Sequence, residues 1–152
     1  MNDLMEKRLP FPEWVLVFAV IAGFIAVFTF FLLEDRAERN AHEFLLQRVN
    51  QLSVDYRVEI NGRPVDRGDL IIASFKSLGH IDAHHSGPTA PIRIRVVDRT
   101  AATDIVIARD SDHRDEYWGY RPGRNLHNDP LGDYAGRIVD ARLTEYLHRL
   151  GL

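Results

Sequence analysis

The sequence predicts an α+β fold carried on a single N-terminal transmembrane helix, and three observations predict it. Residues 14–33, WVLVFAVIAGFIAVFTFFLL, form an apolar run without a charge. Residues 91–121 contain three short runs that read as strands joined by short links. Amphipathic segments with apolar residues three and four apart lie before and after those runs. The expected architecture is a transmembrane helix extended by an amphipathic helix, then a small antiparallel meander sheet packed with two helices. In domain terms this is a short tail over 1–12, the span over 13–33, a helical extension over 34–52 and a small soluble domain over 53–152.

At about 1.5 Å per residue the apolar run is about 30 Å long, the hydrocarbon thickness of a bilayer. A core helix of a soluble protein would expose its outer side to water, so it does not stay apolar on every face for that length. Pro12 suits the first turn, where its missing N–H costs nothing, and Trp14 suits the interface. Glu34, Asp35 and Arg36 follow the run instead of the small residues of a cleavage site, so the segment is expected to stay attached. Lys7 and Arg8 precede the span, and Arg36, Arg39 and Arg48 follow it, so charge counting gives no clear orientation. An uncleaved N-terminal span with a short basic lead resembles a signal anchor, which would place the soluble domain outside the cytoplasm.

The helical pattern continues beyond Leu33 with Ala37, Ala41, Phe44, Leu45, Val49 and Leu52 on one face. A single helix from about Pro12 to Leu52 would be about 60 Å long. Its stripe would either pack on the domain's own sheet or associate with a second copy through residues 37–52. In VDYRVEI, residues 54–60, apolar and polar side chains alternate as in a half-buried strand. Asn61-Gly62 is a hairpin signal, and Pro64 makes the returning arm an edge piece. Leu70, Ile71, Ser74, Phe75 and Leu78 share a helical face, which predicts a helix over 69–79 capped by Asp69 and ended by Gly79. Residues 80–90 read as a loop. Strands are expected over 91–98, 105–109 and 116–121, antiparallel because the links are too short for a crossover. Ile92, Ile94, Val96, Ile105 and Ile107 should form the buried face. A loop is expected to about Tyr134, then a terminal amphipathic helix over 137–150 with Val139, Leu143, Tyr146, Leu147 and Leu150 on its stripe.

Composition narrows the function classes. Lys and Arg number 19 against 22 Asp and Glu, without the basic surface that nucleic-acid binding uses. With no Cys, thiolate catalysis, disulfides and Cys-based zinc sites are excluded. The glycines form neither a G-x-x-x-x-G-K nor a G-x-G-x-x-G run, so no cofactor or nucleotide motif is found. His80, Asp82, His84 and His85 put three imidazoles and a carboxylate within six residues, the donor types of a divalent-metal site. A solvated loop has the same composition. RDSDHRDEYW, residues 109–118, joins two strands and carries carboxylates beside His113, the groups of acid–base chemistry. A charged hairpin tip again gives the same letters. Ser111 and His113 lie close in sequence but no nucleophile elbow surrounds them. Arg109, Asp110, Tyr117, Trp118 and Tyr120 are candidates for binding a partner, aromatic side chains being favoured at interfaces. Arg93 and Arg95, on the wet side of the first strand, could meet an acidic lipid headgroup or a phosphorylated partner.

These readings point to a single-pass, membrane-anchored interaction module whose partners are the bilayer and a protein in or at the membrane. The alternative is a membrane-tethered hydrolase or metal-dependent enzyme using the His80–His85 loop or the Arg109–Glu116 turn.

Overall fold

The structure, a computed structural model, describes residues 12–79, 85–99, 101–122 and 131–152. The fold is α+β, and the chain divides into two compact units, Met1–Asp35 and Arg36–Leu152. Helix α1, Glu13–Asn50, contributes to both. In the first unit its apolar stretch is long and apolar enough to cross a membrane, and none of it is buried; Phe24 is 73% exposed and Phe18 65%.

The second unit is built on a six-stranded antiparallel sheet. Its strands are β1 (Arg57–Ile60), β2 (Arg63–Pro64), β3 (Pro88–Val97), β4 (Ala102–Asp110), β5 (Glu116–Arg121) and β6 (Asp133–Val139), in the order β2-β1-β3-β4-β5-β6. Two helices follow the sequence around it, α2 (Gly68–Lys76) and α3 (Ala141–Arg149).

Asn61 and Gly62, both at positive φ, make the two-residue turn between β1 and β2. Positive φ at both positions matches the right-handed strand twist, which is why Asn-Gly suits it. The turn is pinned to the third strand: the Arg93 N–H donates to Asn61 Oδ1 at 3.0 Å, and the Asn61 N–H donates to the Arg93 carbonyl at 2.8 Å. The first strand starts at Arg57, not Val54, because its partner β3 ends at Val97, opposite Arg57, and Val54 is left exposed.

One face of the sheet carries the core expected for it. Ile92, Ile94, Val96, Ile105 and Ile107 are buried, joined by Tyr117 and Ile138. Three helices cover them: Ala41, Leu45 and Val49 from α1, Ile71, Ile72 and Phe75 from α2, and Leu143, Tyr146 and Leu147 from α3. The amphipathic extension therefore packs on its own sheet, with the stripe beginning at Ala41 while Ala37 stays exposed.

Two expected helix boundaries move. Residues 137–139 belong to β6, and the terminal helix starts at Ala141 with Asp140 as its N-cap. Val139 lies four residues before Leu143, so it mimicked a helical stripe, yet it points outward at 55% exposure. The second helix has no side-chain cap at its start, and it ends before Gly79. Gly79 instead extends the sheet, exchanging both backbone hydrogen bonds with Arg137 at 2.9 and 2.8 Å. That contact needs Gly136, whose φ is +137° and where a Cβ would lie 2.8 Å from the Gly79 oxygen. Beside it, His42 of α1 bonds the Ala135 carbonyl through Nδ1 at 2.8 Å.

Asp140 links the last helix to α2. Its Oδ1 accepts from the Arg142 and Leu143 N–H groups at 2.9 and 3.3 Å, and its Oδ2 from Ser74 Oγ at 2.8 Å. Burial raises its pKa, but these hydrogen bonds outweigh that and lower it. Asp140→Ala is expected to cost about 0.5–2 kcal/mol, the usual range for losing an N-cap, with the Ser74 bond adding to it. The midpoint of chemical denaturation measures this, and Asp140→Asn should recover most of the loss.

Candidate functional site

The sheet face turned away from the helices is divided into a charged half and an aromatic half. On β1, β3 and the start of β4, successive outward positions are Arg57, Glu59, Arg93, Arg95 and Asp104, because every second residue of a strand points the same way. Arg57 pairs with Glu59 at 3.1 Å and Arg95 with Asp104 at 3.8 Å. Glu59, Arg93, Arg95 and Asp104, with Asn61, Gly62, Val106 and Pro122, line an open groove of about 590 Å³.

Across β4, β5 and β6, Val106, Ala108 and Tyr120 are buried against Trp118, Leu131 and Tyr134. The rings of Trp118 and Tyr134 are 5.5 Å apart, and those of Tyr120 and Tyr134 5.8 Å. Burial raises the Tyr134 pKa, opposed by a hydrogen bond with Arg137.

Asp110 closes this half. It ends β4, so its side chain follows Val106 and Ala108 onto the same face and is fully buried. Its Oδ2 accepts from Ser86 Oγ at 2.7 Å and from Trp118 Nε1 at 2.8 Å. Its Oδ1 accepts from the Asp112 and His113 N–H groups at 2.9 and 3.0 Å and meets His113 Nδ1 at 3.2 Å. Burial pushes the carboxyl upward, but the donors from Ser86, Asp112, Trp118 and His113 prevail and hold it far below the usual carboxylate range. Asp110 is thus a permanent anion at neutral pH. Its counter-ion is Arg137 on β6, whose guanidinium Nη1 is 3.7 Å from Asp110 Oδ2 and 3.2 Å from Glu116 Oε2. The same guanidinium lies 4.0 Å from the Trp118 ring centroid, and its Nε has no hydrogen-bond partner among the described residues.

Asp110, His113 and Glu116 bring their ligand atoms within 4.8 Å of one another, so by composition they could hold a cation. Their chemistry favours another reading. A carboxylate offers about four lone-pair sites, and Asp110 already accepts from four donors, Ser86, Trp118 and the Asp112 and His113 N–H groups. Arg137 supplies the positive charge that Asp110 and Glu116 need. Ser111 donates to Asp112 at 3.1 Å and not to His113, so these two do not form the Ser–His pair used in nucleophilic catalysis.

The five residues expected to bind a partner do not form one surface. Asp110, Trp118 and Tyr120 lie together on the outward face, whereas Arg109 and Tyr117 point to the helix side. Tyr117 is buried there, its hydroxyl donating to Thr144 Oγ1 at 3.1 Å, and burial raises its pKa. Arg109 is exposed. Of the suggested metal ligands, His85 is exposed, and His80, Asp82 and His84 lie outside the described residues. Sequence reasoning missed Arg137 because it sat at the start of an expected helix. Asp140 was the available signal: reading it as an N-cap would have moved the helix to 141 and left an alternating strand before it.

No protein-family model, curated protein or solved structure matches the chain.

Proposed function

We propose that the protein is a single-pass, membrane-anchored interaction module: residues 14–33 sit in a bilayer and the charged sheet face engages a protein partner. The observation that carries the anchor is an apolar helix stretch without any burial, ending in a helix whose later turns are part of a domain core. Exposing so much apolar surface to water is unfavourable at about 25 cal/mol per Å², and a bilayer removes that cost. The partner surface is supported by the groove at Glu59, Arg93, Arg95 and Asp104, where both signs of charge are accessible on a rigid sheet. Charges of both signs at a rim steer a partner and set its register more than they add affinity. For the hydrolase or metal-enzyme alternative, the Arg109–Glu116 turn offers little, because Asp110 and Glu116 are already bonded to Arg137 and to the turn itself, while His80, Asp82 and His84 lie outside the described residues. The domain is placed outside the cytoplasm on the signal-anchor argument, which a reporter active only outside the cytoplasm, fused after Leu152, tests directly.

The full chain is expected to stay with membranes through high-salt and carbonate washes, and removal of residues 1–33 to release a soluble, folded domain. Recovery of the full chain in the carbonate supernatant would overturn the anchor. A photo-crosslinking residue placed at Glu59 or Arg93 in cells should give a discrete protein adduct that the same residue at Lys76 does not. Identical patterns from all three positions would remove the groove as the binding face.

A further inference from the structure

A second hollow opens within the Arg36–Leu152 unit, where α1 passes over the start of β4 and the end of β5. It measures about 370 Å³, and its walls include Phe44, Arg48, Thr103 and Arg121. Two guanidinium groups converge on one ring there: Arg48 Cζ is 5.8 Å and Arg121 Cζ 5.2 Å from the Phe44 centroid. Phe44 and Arg48 are four residues apart on one helix, and so they share a face. Each cation is drawn to the ring's negative face, but the two repel each other. Their neutralisation is incomplete. Asp133 pairs with Arg121 at 3.3 Å, while among the described residues Arg48 has the Phe44 ring beside it and no ion pair. Asp104 at the rim is turned to Arg95 at 3.8 Å.

We propose that this hollow binds a phosphate-bearing anion, with Arg48 and Arg121 as its two clamps and the Thr103 hydroxyl as a further donor. A guanidinium presents a planar fork that matches two oxygens. A carboxylate has only two oxygens and fills one fork, whereas a phosphoryl group has enough to face both. Asp133 occupies only part of the Arg121 fork, which leaves donors for the ligand. The hollow is larger than a bare phosphate, so it also accommodates the group esterified to it. The phosphate could belong to a lipid headgroup or to a soluble phosphate. The site is distinct from the groove assigned to a protein partner, and either assignment can fail without the other.

The test uses the full chain with ¹⁵N-labelled arginine in maltoside micelles, which contain no phosphate, and follows the Nε–Hε signals of Arg48 and Arg121, assigned from Arg48→Gln and Arg121→Gln. One arm titrates inorganic phosphate at constant ionic strength, and the other titrates phosphatidylglycerol into the micelles. Both signals are expected to shift together and saturably. Arg48→Gln should weaken the midpoint at least tenfold, and Lys76→Gln, outside the hollow, should leave it unchanged. Saturation in the phosphate arm identifies a soluble phosphate ligand, and saturation with phosphatidylglycerol alone identifies a lipid headgroup. Linear shifts in both arms, or an unchanged midpoint in both Arg48→Gln and Arg121→Gln, would overturn the site.

Discussion

Asp110→Ala is expected to destabilise the Arg36–Leu152 unit by about 3–5 kcal/mol, the range seen when one partner of a buried ion pair is removed. The reason is what stays behind. Arg137 has a side chain only 1% exposed and would keep Glu116 alone as a counter-ion. Ser86, the Trp118 indole N–H and two backbone N–H groups would lose their acceptor at the same time. Each unsatisfied buried donor costs about 1–3 kcal/mol where water cannot reach it, so local relaxation decides where in the range the loss falls. Chemical denaturation of the chain, followed by the near-ultraviolet circular dichroism of its aromatic residues, measures the effect. A loss under about 1 kcal/mol would show that water replaces the carboxylate. The pH dependence has a definite sign. The native pKa of Asp110 is lowered, so its contribution is complete above the ordinary carboxylate pKa and is lost as pH falls from there towards the native value. Below about pH 4 the wild type should therefore lose stability more steeply than Asp110→Asn, which has no proton to take up at this position.

Ile94→Ala is expected to cost about 2–5 kcal/mol, combining lost transfer energy with the cavity left behind. Ile94 is 1% exposed and lies between Ile60 on β1 and Ile105 on β4, so neighbouring strands hold the space open. Ile94→Val removes one methylene and should cost about 0.5–1.5 kcal/mol. Its neighbour Arg93 faces outward, and Arg93→Ala should change stability by less than about 0.5 kcal/mol. This alternation of large and small effects along one strand is itself measurable by denaturation. An unchanged midpoint for Ile94→Ala would mean the strand faces the other way.

The strand containing Ile94 was legible because its period of two is strong and its links are short. The last strand was not. In RIVDARLTEYL, Val139 stands at helical spacing from Leu143 and Tyr146, and local pattern alone favoured one long helix over a strand and a shorter helix. Tertiary pairing decided the matter: β5 offered a free edge, and Asp140 offered a cap. The candidate site was legible only in part. Asp110 and Trp118 were singled out for their chemistry, but a sequence does not say that the carboxylate is turned inward onto an arginine 27 positions away. Neither could the convergence of Arg48 and Arg121 on Phe44 be read, since the two lie on elements far apart in the chain.

The margins of the sheet restrict how anything can recognise this domain. At one margin the outermost strand is two residues long and includes Pro64, which has no N–H to offer. At the other, the amide and carbonyl of Arg137 are already bonded to Gly79, and the Ala135 carbonyl to His42. An incoming peptide therefore finds little main chain against which to lie as an added strand, the mode in which backbone bonds give affinity for many sequences at once. The same obstruction discourages copies of the domain from joining edge to edge into fibrils. Recognition is left to side chains, and a partner that reads side chains reads a particular sequence.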